Sequence, residues 1–319
     1  MHNWNLAYRE TKQTGVLKKE LVDFQVTEEL SFTPAGEGEH LYLRLRKTGL
    51  TTPQVRKMLQ DAHRVPAMDV SYAGLKDRHG ICEQWFSVRA PQEIPDLIDG
   101  EGLQELERTW HTTKLRRGQI LKNQFKIRLR NLVIDEELST RFTLIAKQGA
   151  PNYFGAQRFG HKGENIPAAK AWLQHRRSRR IDPFMKGIYL STLRSLLFNS
   201  ILSARVTADN WNQSISGDVL LDDYPTGPLW GRGRSATEHL AAEIEKATLV
   251  EFAEICGDLE YAGVNQARRS LVLMPQEFSW VNSDADAVDL RFALNSGSYA
   301  TVLLRECLQV VDHSVERAA

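Results

Sequence analysis

The chain has 319 residues, 42% apolar and 25% charged, the profile of a globular protein with room for two domains. No apolar run nears the roughly 18 residues that span a bilayer, the start Met1-His2-Asn3-Trp4-Asn5 lacks a secretion-signal layout, and the three scattered cysteines, Cys82, Cys256 and Cys307, build neither a disulfide framework nor a zinc site, so a cytosolic protein with buried thiols is expected. The net charge of +1 is segregated: Arg108 to Arg130 carries eight Lys/Arg and no acid, Arg158 to Arg180 carries seven and one acid, and Glu93 to Glu107 carries six acids and no base. This pattern gives a basic face to a near-neutral protein, or it cancels in three dimensions.

Along the chain, His40 to Arg46 alternates as a half-buried strand, with Leu41, Leu43 and Leu45 on one face and Tyr42, Arg44 and Arg46 on the other. Thr52 is the expected N-cap and Pro53 the first residue of a helix carrying Val55, Met58, Leu59 and Ala62. A short strand through Val70 and Tyr72 runs into Gly74, and Gln84 to Arg89 alternates again. Phe125 to Arg130 sets Phe125, Ile127 and Leu129 against three cations, a wet face suited to a polyanion. From about Lys170 to Val272 the chain reads as helix-rich, with Leu193, Leu196, Leu197, Ile201 and Leu202 in one stripe, interrupted by a Gly/Pro-rich loop from Asp222 to Arg234. Val288 to Leu294 is a further strand, Asn295-Ser-Gly-Ser298 a turn, and Tyr299, Val302, Leu303, Glu306 and Val310 a final helix. Strand-rich ends around a helical middle predict an α+β fold with an insertion in a discontinuous domain.

Chemistry concentrates in Ser71-Tyr-Ala-Gly-Leu-Lys-Asp-Arg-His-Gly80, where glycines bracket four ionisable side chains. An aspartate between two cations is held ionised, which suits a nucleophile or a general base; a turn aspartate capping its own backbone accounts for the same pattern. His79 has no Ser or Cys partner in a nucleophile motif. A metal site from His63, Asp69, Asp77 and His79 matches no ligand spacing, and no phosphate-binding glycine loop is present. Asn152-Tyr-Phe-Gly-Ala-Gln-Arg-Phe-Gly160 is a base-stacking run or an aromatic hinge between domains.

The segment Gly74-Leu-Lys-Asp-Arg-His79, followed by Glu83-Gln-Trp85, resembles the active-site motif of the TruD family of tRNA pseudouridine synthases. Further landmarks occur in order: Val16-Leu-Lys18, Asp23-Phe-Gln-Val-Thr-Glu28, Gly36 to Gly49, Asn123-Gln-Phe125, Asn152 to Gly160, and Gly297-Ser-Tyr-Ala-Thr301 with Leu304-Arg-Glu306. Two departures stand out: Leu21-Val22 where the family reads Pro-Glu, and Tyr299 where some relatives carry Phe. The resemblance implies a pseudouridine-synthase-like catalytic domain, with a twisted and mainly antiparallel sheet, formed by residues 1–148 and 274–319. It implies an inserted helix-rich α/β TRUD domain at 149–273. The implied activity is isomerisation of uridine to pseudouridine, at position 13 of tRNA, with no cofactor, no metal and no obligatory protein partner in a monomeric enzyme. Asp77 would be the nucleophile and Lys18 the basic group beside it. Phe24, Asn123 and Tyr299 would contact the substrate nucleotide, and Phe125 would stack on the target base. Two rivals are a non-catalytic RNA-binding protein, which has no need of the Asp77 loop, and a metal-dependent nucleic-acid hydrolase. The densest cationic run, Arg176 to Arg180, is read either as a grip on the tRNA backbone or as a solvated helix face.

Overall fold

A computed structural model describes residues 4–95, 99–174 and 181–316. The Arg176 to Arg180 run lies outside the described residues. Two compact units share the chain.

One unit comprises Lys12–Thr140, Pro275–Gly297 and Leu308–Ala319. Its elements begin with β1 (Thr14–Leu17), β2 (Phe24–Leu30), β3 (His40–Thr48), α1 (Thr52–His63), β4 (Val70–Tyr72), β5 (Ile81–Arg89), β6 (Asp99–Gly100), β7 (Leu103–His111) and β8 (Ile120–Arg130). Among the described residues, eleven strands form its sheet. The order runs from the strand Gln276–Asp284 through the strand Ala287–Asn295 to β8, β2, β5, β3, β7 and β6. The pairs are antiparallel except β2 with β5 and β1 with the strand Gln309–Asp312. The mainly antiparallel sheet expected from alternation is therefore present.

Register sorts the two faces, because directly opposed residues point the same way. Phe24, Val26 and Glu28 of β2 stand opposite Ile127, Phe125 and Asn123 of β8, which in turn face Leu290, Phe292 and Leu294. The same face continues through Cys82, Gln84 and Phe86 of β5 to Lys47, Leu45 and Leu43 of β3. Val55 and Leu59 of α1 pack on it. The opposite face corrects in part the cationic wet surface expected from sequence: Lys126, exposed on β8 opposite the exposed Arg291, has no ion pair among the described residues, while its neighbours are neutralised. Arg44 and Arg46 both bind the Glu83 carboxylate. Arg128 holds Asp289 at 2.7 and 2.9 Å, Arg130 holds Asp23 at 2.8 and 2.7 Å, and Lys122 lies 3.6 Å from Glu29. Cross-strand carboxylates, spread through the sequence, neutralise a charge cluster that is visible only as a cluster.

Two helix boundaries also differ from expectation. Thr51, not Thr52, caps α1: its hydroxyl accepts from the Gln54 N–H at 3.3 Å, and Gln54 reaches back to the Thr51 N–H at 2.8 Å. Thr52 turns inward instead. The last long helix ends at Cys307, and Val310 lies on the strand paired with β1.

The second unit comprises Met1–Thr11, Arg141–Met274 and Ser298–Cys307. Its axis is the 25-residue helix Pro183–Thr207, capped by Asp182, exposed or half-buried over its first two turns and largely buried from Leu190 to Val206 against neighbours that include the helices Asn165–Gln174 and His239–Leu249. The leucine stripe expected there is core, with Leu193, Leu197 and Leu202 fully buried. The segment read as a Gly/Pro loop is partly a strand, Tyr224–Leu229, paired with Ala267–Ser270. Its prolines disguise it in sequence, since Pro is rare inside sheets. Tyr153, Phe154 and Phe159 are buried in this unit's core, so most of the Asn152 to Gly160 run is packing.

Candidate active site

Asp77 sits on the loop between β4 and β5, and three buried polar side chains fix that loop. Lys47, fully buried on β3 in phase with Leu41, Leu43 and Leu45, donates from its ammonium to the carbonyls of Leu50, Lys76 and Asp77 itself. Burial pushes its pKa below the ordinary lysine value. Gln84 donates to the Gly74 carbonyl at 2.7 Å and accepts from the Thr52 hydroxyl at 3.0 Å, which accepts the Lys76 N–H at 3.1 Å. Glu28 holds the Lys76 ammonium at 2.6 Å with one oxygen and accepts the Trp85 N–H at 3.0 Å with the other. Lys47, Gln84 and Glu28 lie within the landmark segments of the resemblance, and sequence reading gave none of them a role at the site. The signal was available: each is a polar residue in phase with the apolar face of its strand.

Of the glycines bracketing the loop, Gly80 is required by close approach. A Cβ there would stand 2.5 Å from the Phe24 carbonyl oxygen. At Gly74 the nearest such atom is the Lys76 ammonium at 4.0 Å, so space does not demand glycine.

Lys18 follows β1 with a left-handed backbone, φ 58°, uncommon for a lysine. Its buried ammonium lies 3.4 Å from Asp77 Oδ1, 3.9 Å from Asp312 Oδ2 and 4.3 Å above the Phe24 ring. The cation therefore bridges two carboxylates over an aromatic face. Asp312, from the C-terminal strand, had no sequence signal pointing to Lys18. The Asp77 carboxylate is 34% exposed while the lysine is closed off at 3%, so the acid is the reachable partner.

Phe24 meets Phe125 edge-on at 6.1 Å, Phe125 stacks on Phe292 at 5.3 Å, and Phe292 stacks on Phe278 at 5.6 Å. These rings form a row across four strands of one face. Asn123, two residues before Phe125 on the same face, has a buried side-chain oxygen with no hydrogen-bond partner. The structure thus brings together Asp77, Lys18 and Phe24, and aligns Asn123 and Phe125 along the same sheet face. Tyr299 belongs to the other unit, where its hydroxyl accepts from Arg158 at 3.0 Å and its ring meets Phe154 at 6.3 Å. Among the described residues, no group of three or more His, Cys, Asp and Glu side chains is placed to hold a metal.

A family model described as tRNA pseudouridine synthase D (TruD) matches residues 4–174, just over half of the chain. The chain belongs to the TruD family. Proteins named tRNA pseudouridine synthase D are similar to it over nearly their whole length. That of Aeromonas salmonicida is 41% identical, covering 94% of this chain and 92% of its own. That of Methylococcus capsulatus is 38% identical, covering 95% and 93%. The crystal structure of a Methanosarcina mazei protein bearing the TruD name has the same fold, with a TM-score of 0.69, 20% identity and 95% of each chain covered. Within the TruD chain described here, the loop carrying the motif from Gly74 to His79 is the one clamped by Lys47, Gln84 and Glu28.

Proposed function

We propose that the protein isomerises uridine to pseudouridine in tRNA, at position 13, with Asp77 as nucleophile and Lys18 as the cation beside it. The observation that carries this reading is the accessible Asp77 carboxylate 3.4 Å from a buried ammonium, on a motif loop that belongs to a TruD chain. The reaction breaks the ribose C1′–N1 bond, turns the uracil and joins C1′ to C5. The C5 proton leaves and N1 gains one, so electrons balance and no donor is needed. Asp77 acts at the ribose or at the base.

The detached uracil must be held without being pinned. The buried aromatic row of Phe24, Phe125 and Phe292, of which Phe125 is the most exposed at 8%, gives the site an apolar wall, and the unmet amide oxygen of Asn123 offers one directed hydrogen bond. Such a setting permits rotation, because few polar contacts have to break. Lys18 offsets charge on the acid throughout. Tyr299 is kept as a substrate contact on sequence correspondence alone. The target base leaves its stack at a cost of a few kcal/mol, offset by phosphate contacts elsewhere on the tRNA. We assign this chemistry to the sheet-bearing unit, in a cytosolic enzyme.

The test is incubation with unmodified tRNA transcripts, followed by pseudouridine mapping at every uridine. Product at position 13 is expected, with EDTA causing no loss once tRNA folding is controlled. Tight tRNA binding without product would favour an RNA-binding protein, and product lost to chelation and restored by one metal would favour the metal-dependent reading.

A further inference from the structure

A cavity of about 610 Å³ lies wholly within the second unit; none of Asp77, Lys18, Phe24, Asn123, Phe125 or Tyr299 lines it, and Tyr299 borders it through the wall residue Phe154 at 6.3 Å. Its volume falls in the usual range for ligand pockets, roughly 300–1,000 Å³. Its walls come from Trp4, from Phe154, Phe159 and Ile166, and from one side of the helix Ala300–Cys307. Trp4 is backed by Tyr153, nearly parallel at 6.0 Å and 18°. The lining contains no carboxylate and two cations, Lys162 and Arg305. Lys162 is exposed, and among the described residues neither cation is ion-paired. This contrasts with the sheet of the other unit, where Arg44, Arg46, Arg128 and Arg130 all hold carboxylates.

Aromatic walls call for a flat apolar body, and two cations on a lining that holds no carboxylate call for an anion attached to it, with Arg305 already donating to the Trp4 carbonyl and felt by the neighbouring Glu306. A nucleotide has both, its base filling an aromatic-lined space while its phosphate meets Lys or Arg. We propose that this cavity binds a single nucleotide, its base in the aromatic interior and its phosphate on Lys162 and Arg305. The source is an unpaired residue of the tRNA away from the target uridine, which rests on the pseudouridine reading above, or a free mononucleotide. The otherwise unused Asn152 to Gly160 run supplies much of the wall, so part of the stacking potential in its sequence is kept at this one opening.

Two variants of the full chain test it without removing core. Ala156→Trp plugs the cavity from an exposed lining position, and Lys162→Ser removes an exposed cation. Both are checked for wild-type melting. If tRNA supplies the nucleotide, each raises KM for tRNA on the order of tenfold, the scale of one lost base-stacking contact, and the loss is read in KM rather than kcat. Calorimetric titration with uridine and adenosine 5′-monophosphates forms the other arm. Heat of binding in wild type that both variants abolish, with tRNA KM unmoved, assigns the site to a free nucleotide. An Ala156→Trp protein that melts normally, keeps its KM and leaves mononucleotide titration unchanged overturns the proposal, even if Lys162→Ser weakens tRNA, because the cation would then act outside the cavity. Absence of pseudouridine from the wild-type reaction is a separate failure. Gel-shift affinities of the same three proteins for tRNA would still decide whether the cavity takes a nucleotide.

Discussion

Asp77 is the reachable member of a pair whose other half is buried, and that asymmetry makes a conservative substitution informative. Asp77→Asn keeps shape and removes charge. It is expected to abolish pseudouridine formation while tRNA affinity stays within a few-fold, measured by product mapping beside gel-shift titration; turnover above a few per cent of wild type would remove Asp77 from the nucleophile role. Phe125 needs a different choice. It is only 8% exposed, with Phe24 at its edge and Phe292 on its face, so Phe125→Ala would cost about 3–5 kcal/mol as a core truncation and blur any catalytic effect. Phe125→Leu keeps most of the apolar volume and discards the π face. Melting close to wild type with turnover well below it is expected if the ring serves the base, and equal turnover would leave Phe125 as packing alone. In sequence, Asp77 and Phe125 stood out by a charged Gly-bracketed loop and by strand alternation. Lys47 and Glu28 did not, since their partners lie 30 and 48 positions away for Asp77 and Lys76.

Elements held by a single buried polar group give predictions of their own. The Asp77 loop hangs from Lys47, whose ammonium serves three carbonyls. Lys47→Met fits the apolar face but orphans those acceptors, each worth about 1–3 kcal/mol when buried and unmet. A fall in kcat larger than the change in KM, with a lowered melting temperature, is expected; unchanged kcat in a folded variant would mean the loop holds its shape without the clamp. A second anchor is Glu306 on the helix Ala300–Cys307, which accepts the N–H groups of Ala7 at 3.0 Å and Tyr8 at 3.2 Å. Burial raises its pKa to about 7, against lowering by the Tyr8 N–H, Arg305, the Ala7 N–H and Arg141. Tyr8 and Cys307 also face it, and neither is ionised near neutrality, since burial raises both. The folded state therefore keeps a proton that the unfolded chain loses. Stability from this group is full below about pH 4.5 and falls as pH rises through about 7. Glu306→Gln removes the slope, so its melting temperature should exceed wild type at pH 8 and draw level near pH 4.5. A difference that does not grow with pH would sink the assignment. Local patterns made most elements legible: alternation found the strands, and Thr52-Pro53 found the start of α1, displaced by one residue. Tyr224–Leu229 escaped because its prolines look like loop, and the strand through Val310 escaped because a four-residue strand carries too little periodicity.

At the scale of the molecule, the fold was readable as α+β with a helix-rich middle, because hydrophobic periodicity is a local property that survives in one dimension. Charge was not readable, because its partners come from other strands. The eight Lys/Arg between Arg108 and Arg130 suggested a phosphate-binding sheet, yet Arg108, Lys122, Arg128 and Arg130 each contact a carboxylate. The exposed cations of that run are Lys114, Arg116 and Arg117, in the turn between β7 and β8, and Lys126 on β8; none of the four forms an ion pair among the described residues. A cation already neutralised within the protein releases little counterion when a phosphate approaches, whereas a free one releases nearly a full share, with log K falling at about 0.7–0.9 per contact against log salt. Substituting Lys114→Ser, Arg116→Ser and Arg117→Ser together should therefore flatten the salt dependence of tRNA binding by about 2 to 3 slope units and weaken all tRNAs alike. Arg128→Ser should leave the slope nearly unchanged and lower stability, since it strands Asp289. The fourfold Arg→Ser variant of Arg176, Arg177, Arg179 and Arg180 belongs in the same titration as the competing source of grip. If the turn variant superimposes on wild type while the fourfold variant flattens, the backbone is held by that run and not by the turn; if Arg128→Ser flattens most, the ion pairs of the sheet open to receive tRNA and the neutralised face is an interface after all.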